Sequence, residues 1–169
     1  MQNTIKKFGG YAALVGGLLF IGGHFFDWGI GFSILEIFGY ASILASLSFV
    51  FFGIKHFRDQ INNGVISFKK ALLIGLTISA ISGIVIGLLD VVYVTMINPD
   101  FVVEYKEYAL EGMKNTLSAN EFELEKATLE KQMKLFENPV FTWAIMFTTV
   151  FAIGIIVSLL SSLILQRKN

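Results

Sequence analysis

The sequence predicts an all-α membrane protein: four transmembrane helices with an extracytoplasmic helical hairpin between helices 3 and 4. Three observations predict it. Four apolar stretches, about 8–26, 34–54, 71–97 and 140–165, are each long enough to cross a ~30 Å hydrocarbon core at ~1.5 Å per residue. Charge is scarce and segregated. Only 15% of the 169 residues are Asp, Glu, Lys or Arg, against about 25% in a soluble domain, and nine acids and five lysines of these lie in 98–139. Small residues also recur every fourth position along the spans, the spacing that lets helix backbones approach closely. The chain reads as a single membrane domain, 1–169, with 98–139 as its insert.

The first span, about 8–26, follows Lys6 and Lys7 and resembles a signal peptide at first sight. No small-x-small cleavage site follows it and three more spans do, so it is expected to stay as a helix. Ala12/Gly16 and Ala13/Gly17 give it a close-packing face. Asp27-Trp28-Gly29 ends it, with an aromatic suited to the bilayer interface. The second span, about 34–54, repeats the spacing at Ala41/Ala45 and Ser42/Ser46. The loop 55–70 is basic and turns at Asn63-Gly64, and Phe57, Ile61, Val65 and Phe68 are spaced to dip into the headgroup layer.

The third span, 71–97, is the packing centre. Gly75, Ser79, Gly83 and Gly87 form a comb of small side chains, and Asp90 falls on the same face. Gly154, Ser158 and Ser162 put the fourth span, about 140–165, in the same register. In the insert, Asn98-Pro99 reads as an N-cap with proline at the first helical position. The first insert helix then runs to about Leu117, with Phe101, Tyr105, Tyr108 and Met113 near one face. Ser118 and Glu121 have capping-box spacing, and Phe122, Leu129, Met133 and Phe136 stripe the second helix. Asn138-Pro139 repeats the cap-and-proline signal.

Orientation follows the positive-inside rule. Lys6, Lys7, Lys55, Arg58, Lys69, Lys70, Arg167 and Lys168 flank one side of the spans, with Asp59 as the one acid among them. The insert is acidic. Both termini are therefore expected in the cytoplasm and the insert outside. The basic residues Lys55, Arg58, Lys69 and Lys70 have two readings: a docking site for a cytosolic partner or anionic lipid, or an ordinary cytoplasmic loop.

Several classes of function drop out. The chain has no cysteine, which excludes disulfides, thiol catalysis and cysteine-ligated metals. Its net charge of zero suggests no nucleic-acid role. No phosphate loop, nucleophile elbow or zinc-protease helix occurs, so no catalytic residue is assigned and no enzyme is expected. No cofactor is implied, and no metal site, because one His and scattered acids lack a ligand spacing. What remains is a candidate polar pocket at the outer ends of the first three spans: His24, Asp27, Glu36, Asp90 and Tyr93. It could take a proton, a cation or a polar headgroup. The alternative is that these are interfacial residues, or an Asp90–His24 pair that fixes the helices.

Gly53-Ile54-Lys55-His56-Phe57-Arg58-Asp59, then Gly64, Ser67-Phe68, Lys70-Ala71 and Gly75, form a pattern over the second loop. With Asn98-Pro99-Asp100-Phe101 and Asn138-Pro139, it resembles the membrane family called domain of unknown function 4199 over nearly the whole chain. The resemblance implies a Gram-negative host of the Bacteroidota type, four helices in the inner membrane and a periplasmic insert. It implies no known activity and supplies no catalytic residues. It also suggests neighbours that resemble polyprenol-phosphate glycosyltransferases, and so lipid-linked sugar handling.

The function expected from all this is a non-enzymatic, multi-pass inner-membrane interaction or assembly component. Its partners would be membrane lipids and a second copy or a membrane protein, met through small-residue helix faces and the hairpin. The alternative is a small carrier or lipid-headgroup (lipid-linked sugar) transporter using the acidic pocket.

Overall fold

A computed structural model describes residues 1–24, 29 and 31–167. The end of the first predicted span, with Asp27 and Trp28, and the C-terminal Lys168 lie outside the described residues. Six α-helices follow in order: α1 Gln2–His24, α2 Phe32–His56, α3 Phe68–Val92, α4 Phe101–Thr116, α5 Ala119–Leu135 and α6 Pro139–Leu165. A π-helical turn extends α2 over Phe57–Ile61, and another extends α3 over Tyr93–Ile97. Four segments, Gln2–His24, Phe32–Ile61, Phe68–Ile97 and Pro139–Leu165, are long and apolar enough to cross a bilayer. Their outward faces carry Leu14, Leu18, Leu44, Leu88, Ile156 and Ile164, all exposed. So much exposed apolar surface suits lipid rather than water.

The four long helices pack as one bundle. α3 lies against α6 along its length and also against α1 and α2, while α2 touches α6. The comb explains the α3/α6 seam. A Cβ built on Gly154 would stand 2.5 Å from the Ser79 Cβ, and one on Gly75 would stand 2.7 Å from the Ser158 hydroxyl. Gly83 and Gly87 meet Phe147 and Trp143 in the same way. Only hydrogen fits at Gly75 and Gly154, and Gly83 and Gly87 are tight at 3.1 and 3.0 Å, so the backbones close to van der Waals contact. Gly75, Ser79, Gly83, Gly87, Gly154, Ser158 and Ser162 are all buried. The α1/α2/α3 seam is tied by a polar knot. Ser46 donates to the Ala12 carbonyl at 2.7 Å and pairs with the Ser82 hydroxyl at 2.7 Å. In a low-dielectric interior such bonds fix register, because an unmade partner would be costly.

The basic end departs from the expected loop. Residues 55–61 stay helical, because nothing breaks the helix before Asn62-Asn63-Gly64, where Asn63 and Gly64 take positive φ (52° and 83°). Phe57 turns into the protein and is buried, so of the four side chains expected to dip into headgroups only Ile61 is exposed. Arg58 holds Asp59 (2.6 and 3.0 Å) and donates to the Leu165 carbonyl at the end of α6 (3.3 Å). Ile66 and Arg167 exchange backbone hydrogen bonds at 3.0 and 2.9 Å. Arg58 therefore helps close the bundle, while Lys55, Lys69 and Lys70 remain exposed.

The insert also starts differently. Asn98-Pro99 forms a turn, and α4 begins two residues later at Phe101. The Asn98 carbonyl accepts the Phe101 N–H at 3.1 Å, and its amide donates to Glu104 at 3.1 Å. The helix thus starts from a turn rather than from a side-chain cap. α4 rests on the bundle through aromatic contacts, with Phe101 5.3 Å from Tyr93 and Tyr108 5.2 Å from Phe32 between ring centres. Within α5 only Leu129 is buried. The Asn138 side chain caps α6 by accepting the Val140 N–H at 2.9 Å, with Pro139 at the first position.

Ser118 and Glu121 form the capping contacts. The Glu121 carboxylate accepts from the Ser118 N–H (3.1 Å) and hydroxyl (2.6 Å), and these bonds hold it below the usual carboxylate range. A depressed folded value adds stability above the ordinary titration point and loses it as pH falls through the folded one. The first turn of α5 is expected to lose amide-exchange protection as pH falls below the ordinary glutamate range. Glu121→Gln should remove that pH dependence, and an unchanged profile in the variant would show that the bonds play no part.

Candidate functional site

The site is built from four stripes, each on its own helix. α1 contributes Gly16, Phe20 and His24, and α3 with its π-helical extension contributes Ile86, Asp90 and Val94. α2 contributes Glu36, Gly39, Tyr40 and Ile43, and α6 contributes Thr142, Ile145, Met146 and Thr149. The first pair repeats every four residues and the second at i, i+3, i+4, i+7, the spacings of one helix face. Where the faces converge they enclose a cavity of about 300 Å³, roofed by Phe101, Val102 and Phe136 of the insert region. Along α1 it runs ~12 Å, from Gly16 to His24.

The polarity is graded. His24, Glu36 and Asp90 gather at the insert end, while Gly16, Ile43 and Ile86 line the deep end. Exposed Glu36 and Tyr40 on α2, with exposed Ile145 on α6, put the opening on the α2/α6 side. A second cavity, of about 390 Å³, lies under the insert with Lys106, Glu130, Lys134 and Glu137 on its wall. The two share Val94, Val102 and Phe136. The membrane cavity and the charged one are therefore neighbours that meet at three apolar side chains.

Hydrogen bonding in the membrane cavity is one-sided. Asp90 makes no hydrogen bond or ion pair among the described residues, so the Asp90–His24 pair is not formed. His24 Nδ1 lies 3.2 Å from the Phe20 carbonyl, which fixes Nδ1–H as the donor. The ring stacks on Phe20 at 4.4 Å and meets the edge of Tyr93 at 5.4 Å. Ser42, Thr142 and Thr149 all donate to backbone carbonyls, those of Phe38, Phe136 and Ile145.

Of the five predicted pocket residues, then, the structure brings His24, Glu36 and Asp90 to the lining of one cavity. Tyr93 is buried behind His24 rather than on the wall, its hydroxyl 3.5 Å from the Asn98 amide. Asp27 lies outside the described residues. Sequence reasoning missed the α2/α6 wall and the roof. The i, i+3, i+4, i+7 stripes were a signal for the wall, but a stripe alone does not say what it faces. Among the described residues no group of three or more His, Asp or Glu is placed to hold a metal ion.

These features define a class: a multi-pass helical membrane protein whose bundle holds a cavity lined by an aspartic side chain, Asp90, that has no partner among the described residues. The chain belongs to the family described as protein of unknown function (DUF4199), whose model matches residues 7–167. No curated protein and no solved structure matches it.

Proposed function

We propose that this chain is a non-catalytic inner-membrane binding protein or carrier for an amphiphile, with both termini cytoplasmic and the insert outside. The observation that carries this is the cavity itself. It opens toward the lipid side, is polar at the headgroup end and apolar toward the bilayer centre, and sets Asp90 unpaired on its wall. A charge in the membrane-spanning region is expensive and tends to mark a ligand or ion path. The junction with the insert's charged chamber is lined by apolar Val94, Val102 and Phe136, which disfavours a polar solute there. A lipid-like molecule entering between α2 and α6 fits better than a water-borne solute.

The assembly reading keeps one foothold. The small-residue faces of α3 and α6 are occupied within the chain, but Leu124 and Leu135 of α5 stay exposed on the insert. A partner would meet that surface.

Native mass spectrometry of the protein in nanodiscs tests both. A retained amphiphile that disappears in Asp90→Asn, with the variant still folded, is the expected result. A bare monomer whose mass is unchanged by the variant would overturn the carrier reading. A defined oligomer broken by Leu124→Lys and Leu135→Lys would shift the function to assembly.

A further inference from the structure

The occupant's chemical class can be read from the cavity's hydrogen-bonding capacity, on the premise that the cavity binds an amphiphile. We infer that its ligand carries an ammonium head: a single-chain or lipid-like amine whose head sits between Asp90 and Glu36.

The lining offers acceptors and almost no donors. Asp90 and Glu36 bring carboxylate oxygens, and with Nδ1–H turned to the Phe20 carbonyl the neutral His24 ring presents Nε2 as a lone pair. The three Ser and Thr hydroxyls point their protons at backbone carbonyls. The Tyr40 hydroxyl is the one lining O–H not so engaged among the described residues. Among the described residues no Lys or Arg lines the cavity. A phosphate or carboxylate head would meet negative charge and find one donor. An ammonium brings donors and a positive charge where acceptors and negative charge are in excess, and low surrounding dielectric strengthens that attraction. Phe20, Tyr40 and Phe101 also line the cavity and bring aromatic surface of the kind that attracts cations. The apolar deep part of the ~12 Å cavity leaves room for part of the chain.

The test is a ladder of probes with one tail and three heads: decylamine, decyl glucoside and decanoate. Each is titrated into the full-length protein in nanodiscs, and occupancy is read by native mass spectrometry. Decylamine is expected to bind at least about tenfold tighter than the glucoside, a factor equal to ~1.4 kcal/mol. Decanoate is expected to show no specific occupancy. Glu36→Gln and Asp90→Asn, each close to isosteric, should erode the amine's advantage toward the glucoside. Wild type alone decides the matter if a variant does not fold. Equal or tighter binding of the glucoside would overturn the ammonium class and favour a sugar head, leaving the amphiphile reading intact. Tighter binding of decanoate would overturn the class as well. No occupancy by any of the three would remove both readings.

Discussion

Gly154→Ile is expected to break the bundle. The side chain would start 2.5 Å from the Ser79 Cβ and 3.5 Å from a Leu47 methyl, in the most tightly closed part of the α3/α6 seam. Neither neighbour has room to yield. Ser79 is fully buried and bonds the Gly75 carbonyl at 3.0 Å, and Leu47 is fully buried in the core. Overpacking a filled core costs about 1–3 kcal/mol and sometimes more. Here the helices would have to separate, opening the reciprocal contact at Gly75 and Ser158 too. A large fall in thermal midpoint, or aggregation on size exclusion in mild detergent, is the expected reading. Gly112→Ala is the control, because a Cβ there meets nothing within 4 Å. It should be neutral or gain up to ~1 kcal/mol of helix propensity. If Gly154→Ile matches the parent in stability, α3 and α6 do not meet in this register.

That seam was legible in the sequence because both sides of it are periodic. The comb on α3 and its counterpart on α6 announce where each helix is thin, and two thin faces seek each other. The capping box at Ser118 and Glu121 and the turn at Asn63-Gly64 were legible because their determinants are local. His24, Glu36 and Asp90 were legible as a group because counting along three spans puts them at one end. What no local rule supplies is which stripe faces which. Glu36–Gly39–Tyr40–Ile43 and Thr142–Ile145–Met146–Thr149 look like ordinary lipid-facing or core-facing stripes. Only the bundle makes them opposite walls of one cavity. The same limit hid the Arg58 contact with the Leu165 carbonyl, which joins residues far apart in the chain. The π-helical turns after α2 and α3 were hidden for a related reason. The first replaces the expected loop at 55–61, while the second falls inside the expected span 71–97, with Phe57 and Tyr93 both buried.

Gly39→Phe separates a ligand site from a packing void. Gly39 lines the cavity, and a Cβ there meets nothing within 4 Å. A phenyl ring at this position would project into open volume without displacing backbone. Replacing a mid-helix glycine by Phe gains up to ~0.5 kcal/mol of propensity, and the ring adds dispersion contacts within the bundle. The variant is therefore expected to fold at least as well as the parent, with an equal or higher thermal midpoint. Its amphiphile occupancy should fall by at least about tenfold, because the ring takes the volume the ligand needs. Gly16→Phe is the informative contrast. Gly16 lines the same cavity, but its Cβ would strike Ile86 at 2.8 Å and the Ser46 hydroxyl at 2.9 Å. It should lose binding and fold together. Only Gly39→Phe pulls the two apart, and unchanged occupancy in a well-folded Gly39→Phe would place the amphiphile elsewhere on the protein.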